Sequence, residues 1–313
     1  MRSKGLRRKI AESNLTLLGA TLIAIFAWMA KGNVALPEWL GFLATAITAY
    51  VFVEFNNSNA LIRIRSRMIS SVYLVLMAAL TGLHSYSANA LLPLCVLLAY
   101  FLLFKTYQNS HPESFVFHAF LFIGLSSLIF PQILLFTPFY LIAMVVHLRS
   151  LNLRSLAAAI MGIVLPFALI EAYKFYFAQP LYTPGFIKVL TSFSPPDYSR
   201  LSEHQMVSAG VVVFLAISAM LHFRYTKFND KIRTRMFLYV LTVQEFLIMA
   251  FLVAQPQHFD PLFRLLVMNS SPLIAHHLAL TQGRWGTCFF YFALILILVL
   301  VIYNLWVQSL LSF

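Results

Sequence analysis

Residues 115–166 read FVFHAFLFIGLSSLIFPQILLFTPFYLIAMVVHLRSLNLRSLAAAIMGIVLP. The stretch consists of two apolar runs that meet at Pro131, a short basic loop that carries Arg149 and Arg154, and a third apolar run. A soluble domain has too little interior for so many consecutive apolar side chains, whereas a bilayer accommodates them. The stretch therefore predicts a helical protein that crosses a membrane several times.

The composition of the whole chain supports this prediction. Of the 313 residues, 61% are hydrophobic and 10% are charged, against about 45–50% and about 25% in typical globular domains. The formal net charge is +12. The basic residues lie in short loops between apolar runs, so the positive-inside rule explains them better than a nucleic-acid partner does. The two cysteines, Cys95 and Cys288, lie inside apolar runs and lack the spacing of a metal site.

Apolar runs between charged or turn-rich breaks give the number of spans. A helical span needs about 20 apolar residues, with a range of about 17–25. Eleven runs approach this length: 14–30, 39–55, 69–84, 88–104, 115–130, 132–148, 155–177, 205–223, 236–254, 261–280 and 286–308. We predict an all-α polytopic membrane protein with about eleven transmembrane helices, one domain over residues 1–313 and no sizeable soluble part.

The basic residues predict the orientation. If the N-terminus is cytoplasmic, 17 of the 22 basic residues fall on the inner side and four on the outer side. The inner segments are 1–13, 56–68, 105–114, 149–154, 224–235 and 281–285. This asymmetry requires separate helices before and after Pro131, because one continuous helix would move segment 224–235 outside. We therefore predict a tight outer hairpin at Pro131, a short basic cytoplasmic N-terminus (1–13) before an uncleaved first span, and an outer C-terminus.

The longest predicted outer loop is 178–204, AQPLYTPGFIKVLTSFSPPDYSRLSEH. Its Pro, Gly, Ser and Tyr content is typical of a segment that does not span the membrane. Within it, GFIKVLTSF is expected to form a short helix at the membrane interface, with aromatic rings at headgroup level.

Ionisable residues inside apolar runs are the natural candidates for function, because a charge at mid-bilayer costs at least about 2.5–3.5 kcal/mol. Glu245, in FLYVLTVQEFLIMAFLV, is the deepest carboxylate. Two interpretations remain open for it. It binds a proton, a cation or a substrate hydroxyl, or it is a carboxyl group hydrogen-bonded to a neighbouring helix.

Asp260 and Arg264, in HFDPLFRLL, are four residues apart near the predicted outer surface. This spacing allows an ion pair on one helix face. The alternative is that Arg264 binds an anionic headgroup or a phosphate, for which its planar donor fork is suited, while Asp260 is a candidate acid.

Two further acids and three arginines are candidates. Glu38 begins the second span, where a carboxylate complements the helix dipole, and Glu171 pairs with a nearby lysine in the simplest interpretation; either is also a candidate catalytic acid. Arg63, Arg65 and Arg67 follow the second span and are expected to anchor the inner side or to contact phosphate or anionic lipid.

The sequence contains no phosphate loop, GxSxG, HExxH or dinucleotide motif, and the adjacent His276 and His277 lack the i,i+4 spacing of a zinc motif. We therefore predict no metal and no cofactor.

Residues 85–107 (SYSANALLPLCVLLAYFLLFKTY) and 117–173 resemble an uncharacterised multipass inner-membrane protein family of Bacteroidota. The similarity extends over about 56–173, and more weakly over 258–304. The positions that carry it are Gly124, Ser126, Ser127, Pro131, Arg149, Arg154 and Pro166. The resemblance implies a bacterial inner (cytoplasmic) membrane location and a role in the cell envelope.

The same succession of short apolar helices also resembles that of the GT-C glycosyltransferases. That resemblance implies transfer of a sugar from a polyprenyl-phosphate donor, with a catalytic acid in a large first outer loop. Here the corresponding loop is only KGNVALPEW, and Glu38 is its sole acid.

Three functions follow from these observations. The first is a non-catalytic scaffold or accessory subunit of a cell-envelope assembly or export machine, favoured by the absence of an acid constellation and of a large extramembrane domain. The second is a GT-C-like enzyme that handles polyprenyl-phosphate-linked sugars. The third is a proton- or cation-coupled transporter that uses Glu245, although the chain shows no inverted repeat. The expected partners are the lipid bilayer, polyprenyl-phosphate or anionic lipid, and other membrane subunits.

Overall fold

The computed structural model describes residues 10–11, 13, 15–30, 36–281 and 283–311. Most of the predicted cytoplasmic N-terminus (1–13) and the start of the loop KGNVALPEW lie outside the described residues. Helix is the only regular secondary structure in the described part of the chain, which confirms the all-α prediction.

Twelve α-helices make up this described part. In chain order they are α1 Leu15–Met29, α2 Leu36–Asn59, α3 Met68–Ala79, α4 Leu92–Phe104, α5 Glu113–Ile129, α6 Thr137–Ala143, α7 Leu153–Tyr176, α8 Thr183–Thr191, α9 Glu203–Thr226, α10 Ile232–Ala254, α11 Phe259–Leu280 and α12 Gly283–Leu311. A 3-10 turn before α6 and a π turn after it extend that helical segment over Pro131–Leu148.

Each of the eleven apolar runs coincides with a helical segment, and α8 coincides with the short helix expected in the loop 178–204. Six helical segments in the described residues are long and apolar enough to cross a membrane: Leu36–Asn59, Pro131–Leu148, Leu153–Tyr176, Glu203–Asn229, Ile232–Ala254 and Gly286–Val307. Four other apolar helices are shorter. A multipass membrane protein is thus supported, while the count of eleven spans and the orientation stay predictions.

Large apolar side chains cover the outside of several helices. Leu22 and Phe26 of α1 are 67% and 69% exposed, and Ile295 and Ile302 of α12 are about as exposed. Soluble monomers rarely present such continuous apolar surface to water. These faces are therefore suited to lipid acyl chains.

The chain divides into two compact units. The first consists of Met1–Ala90 with Asp197–Phe313, and the second of Leu91–Pro196. The sequence, interpreted as one transmembrane domain over 1–313, contains no signal for this division.

Helix α11 is the core of the first unit. It packs against α3, α9 and α10, and every residue from Pro261 to Ala279 is buried. Helix α3 in turn packs against α1, α2 and α12. Because α11 is enclosed on all sides, its polar side chains face protein rather than lipid.

The second unit contains the predicted hairpin at Pro131. Helix α5 ends at Ile129, Phe130 is extended, and Pro131 begins the next helical segment. The amide of Gln108, just before α5, donates to the carbonyl oxygen of Leu148 at 2.9 Å. Because the segment after Pro131 returns to the start of α5, the reversal of direction at Pro131 is confirmed.

Two glycines allow α5 and α7 to pack closely. A Cβ at Gly124 would come within 3.0 Å of the carbonyl oxygen of Ile163, and a Cβ at Gly162 would clash with the carbonyl oxygen of Phe117. Small residues at such contacts let helix backbones approach each other in membranes.

The basic loop between the segment Pro131–Leu148 and α7 is compact. Arg149 adopts the left-handed conformation (φ 52°, ψ 46°), and the Ser150 amide donates to the carbonyl oxygen of Met144 at 2.9 Å. Asn152 and Ser155 form a reciprocal capping box that starts α7. The loop is therefore held by backbone and capping bonds, and its arginines are exposed.

Candidate functional site

Buried polar side chains of the first unit are concentrated along α11. Arg264, Asn269, His276 and His277 are all less than 9% exposed. Polar groups in membrane helices normally face the bundle interior and find partners there. These side chains and their partners form three clusters, one in the middle of α11 and one at each end.

The middle cluster joins Glu245 of α10 to Asn269 of α11. The Asn269 side-chain amide donates to Glu245 Oε2 at 2.6 Å and to the carbonyl oxygen of Leu241 at 2.8 Å. Glu245 is completely buried, and its other oxygen has no partner among the described residues. The contact matches the interpretation of Glu245 as a carboxyl group bonded to a neighbouring helix.

The second cluster lies at the start of α11. Arg264 Nε is 3.1 Å from Asp260 Oδ1, which confirms the ion pair expected from their spacing. Asn89 Nδ2 donates to the other Asp260 oxygen at 2.7 Å. The Arg264 side chain is only 4% exposed, whereas Asp260 is 38% exposed, so the arginine is buried and the carboxylate lies at the edge of the pair. Burial lowers the pKa of His258, in the 3-10 turn just before α11.

The third cluster lies at the opposite end of α11 and is centred on Asp230. The Asp230 side chain is fully buried, with Arg63 Nε at 3.0 Å and His276 Nε2 at 3.1 Å from its two oxygens. Arg63 also donates to the carbonyl oxygen of Asn229 at 3.0 Å. Sequence reasoning missed Asp230, although it is the only acid in the basic segment 224–235.

Histidines from two helices meet beside Asp230. The rings of His222 and His277 stack at 4.3 Å with an angle of 12°, and His277 stacks on Phe289 at 4.3 Å. Thr281 Oγ1 is 3.2 Å from His222 Nε2. The described residues contain no group of three or more His, Cys, Asp or Glu side chains arranged to hold a metal ion. The arrangement is thus a stacked aromatic group.

Glu171 belongs to the second unit, and its carboxylate accepts hydrogen bonds from backbone amides. Its carboxylate accepts hydrogen bonds from the amides of Tyr182 at 3.1 Å and Thr183 at 2.6 Å, and from the Thr183 hydroxyl. These groups begin α8. Glu171 therefore anchors this short helix to the end of α7.

Glu38 lies in the first turn of α2 and is half-buried. Its Oε2 is buried and has no partner among the described residues. Of the acids proposed from the sequence, Glu38 and Asp260 belong to the first unit and Glu171 to the second.

Arg65 and Arg67 are exposed in the loop after α2. The side chain of Asn56 holds this loop, because it donates to the Ser66 carbonyl oxygen at 2.9 Å and accepts from the Ile62 amide at 3.3 Å. Arg67 lies at the edge of a groove of about 290 Å³. The expected contact of these arginines with lipid or phosphate stays a prediction.

Comparison with known proteins finds no matching family model, no matching curated protein and no matching solved structure. The resemblances to the Bacteroidota family and to the GT-C glycosyltransferases therefore stay expectations from the sequence.

Proposed function

We propose that the chain is a non-catalytic integral membrane component, a scaffold or accessory subunit of a cell-envelope assembly or export machine in a bacterial inner membrane. One observation supports this proposal. The carboxylates considered as functional groups are mostly used in contacts within the chain.

A general acid or base must present a free oxygen to the substrate. Both oxygens of Asp260 are used by Arg264 and Asn89, and Glu171 holds backbone amides. Glu245 is fully buried, and none of four grooves found in the described residues is lined by it. These contacts explain why the acids are present without invoking chemistry.

The proposal includes eleven spans with a cytoplasmic N-terminus and an outer C-terminus. It is supported by the helical segments that coincide with all eleven runs and by the location of 17 of 22 basic residues in the proposed inner segments. The bacterial inner membrane is proposed from the sequence resemblance alone.

One observation favours the GT-C-like alternative. Glu38 retains a buried oxygen without a partner among the described residues, and it is the acid that the resemblance places in the first outer loop. Glu245, on which the transporter alternative depends, also has an oxygen without a partner among the described residues, but it is completely buried whereas Glu38 is half-buried.

The test uses conservative acid variants in a strain that lacks the chromosomal gene. We expect Glu38→Gln, Glu171→Gln, Asp260→Asn and Glu245→Gln to accumulate and to restore envelope integrity, as the control Glu113→Gln does. Mild-detergent extracts should contain the chain in a complex larger than its own 35.6 kDa. A Glu38→Gln protein that accumulates normally but fails to restore function would overturn the proposal in favour of an enzyme.

A further inference from the structure

A groove of about 310 Å³ lies between α9 and α10 in the first unit. Ile217 and Leu221 of α9 and Phe246 of α10 form its apolar walls. Arg224, just before the end of α9, and Lys227, just after it, lie at one end of the groove. Ligand pockets in proteins have volumes of about 300–1,000 Å³, so the groove is large enough for part of a lipid.

No acid among the described residues pairs with the cationic end of the groove. Lys227 Nζ donates to the hydroxyl of Tyr239 at 2.8 Å, and neither Arg224 nor Lys227 has an ion-pair partner among the described residues. The segment 224–235 contains five basic residues and one acid, Asp230. That acid is already used by Arg63 and His276.

The groove is open to the surroundings of the helices. Ile217 is 44% exposed, Leu221 52% and Phe246 65%. All three lie in segments long and apolar enough to cross a membrane, so the opening faces acyl chains in a bilayer. Arg224 and Lys227 lie at the end of one such segment, where headgroup phosphates are expected.

We propose that this groove binds an anionic glycerophospholipid of the bilayer, with one acyl chain between α9 and α10 and the headgroup phosphate at Arg224 and Lys227. A guanidinium matches the geometry of a phosphate, and the apolar walls match a hydrocarbon chain. A soluble phosphate ion would gain no favourable contact from those apolar walls. The site is independent of the proposed scaffold role. Neither Arg224 nor Lys227 was among the candidate site residues predicted from the sequence.

The experiment measures lipid retention by native mass spectrometry of the full purified chain. Phosphatidylglycerol and phosphatidylcholine with the same acyl chains are added in parallel. We expect selective retention of phosphatidylglycerol, weakened about tenfold in the double variant Arg224→Gln/Lys227→Gln. The control Lys231→Gln/Arg233→Gln removes the same charge from the same segment but alters no groove-lining residue, so its affinity should remain within about twofold of the wild type.

A second pair of variants tests the acyl-chain part of the groove without changing charge. Thr242 lines the groove, whereas its neighbour Val243 is exposed and does not. We expect Thr242→Phe to lower phosphatidylglycerol retention and Val243→Phe to leave it unchanged, with both proteins unfolding at wild-type temperature. Three results would each overturn the proposal: equal losses in the two charge variants, full retention in Thr242→Phe, or displacement of the lipid by excess inorganic phosphate.

Discussion

Glu171 lies near the end of α7, and its carboxylate binds the first amides of a helix that begins twelve residues later. Tyr182, the residue preceding α8, supplies no side-chain cap of its own. The first amides of a helix lack internal partners and carry partial positive charge, so a carboxylate stabilises them. Glu171 thus provides the cap from another part of the chain.

Replacement of Glu171 should loosen α8. We expect Glu171→Ala to raise the rate of proteolytic cleavage within 178–196 by about threefold or more, because the amides of Tyr182 and Thr183 lose their acceptor. Glu171→Gln keeps one acceptor oxygen and should show a smaller increase. Limited proteolysis in proteoliposomes measures both rates, and equal cleavage of Glu171→Ala and the wild type would contradict the capping role.

Local and distant residue pairs differ in how far they could be predicted. The Asp260–Arg264 ion pair follows from i,i+4 spacing on one helix. The partners of Asp230, by contrast, are Arg63 and His276, which lie far away in the chain. No local rule brings such residues together, so the sequence predicted for Arg63 only an anchor on the inner side or a contact with phosphate or anionic lipid.

Among the elements, the pair α5 and α7 depends on glycine. At Gly162 an added Cβ would meet the Phe117 carbonyl oxygen and lie 2.9 Å from the Leu121 amide nitrogen. Both atoms belong to helix backbone, which cannot move aside cheaply. The contact therefore requires a residue without a side chain.

We expect Gly162→Ala to destabilise the protein by about 1–3 kcal/mol, because the two helices must separate to admit the methyl group. Gly210→Ala in α9 is the matched control, since no atom lies within 4 Å of the added Cβ. Because alanine favours helix over glycine, this control should be neutral or slightly stabilising. Thermal unfolding in detergent measures both, and an unchanged midpoint for Gly162→Ala would refute the close packing.

The burial of helix α11 among other helices could not be predicted from the length of its apolar run. Its sequence predicted a span like the others, but the structure encloses it on all sides. The signal was its polar content, since Arg264, Asn269, His276 and His277 would each be costly against lipid. Such a helix is stable only where other helices surround it.

At the scale of the whole molecule, the proposed topology depends on the reversal at Pro131. Crossing the membrane once instead of twice over 115–148 would invert every later segment. The basic residues of 224–235 would then lie outside, against the positive-inside rule.

Reporter fusions measure on which side of the membrane each segment lies. We expect alkaline phosphatase joined after Phe193 to be active and a fluorescent protein joined after Asn229 to fluoresce, because the first position is proposed to be outside and the second inside. The exchanged reporters serve as controls and should be silent. The opposite pattern would contradict the proposed orientation of the segments after residue 148.

The helical class, the positions of the apolar helices, the break at Pro131 and the spacing that allows the Asp260–Arg264 pair follow from the order of the residues. These features depend on hydrophobicity, backbone geometry and contacts between residues one helical turn apart. Three features become visible in the folded chain alone: Asp230 contacts both Arg63 and His276, Glu171 caps α8, and a groove with a basic end lies between α9 and α10. Those features arise where distant segments pack together, and the packing depends on the combined shape of several helices.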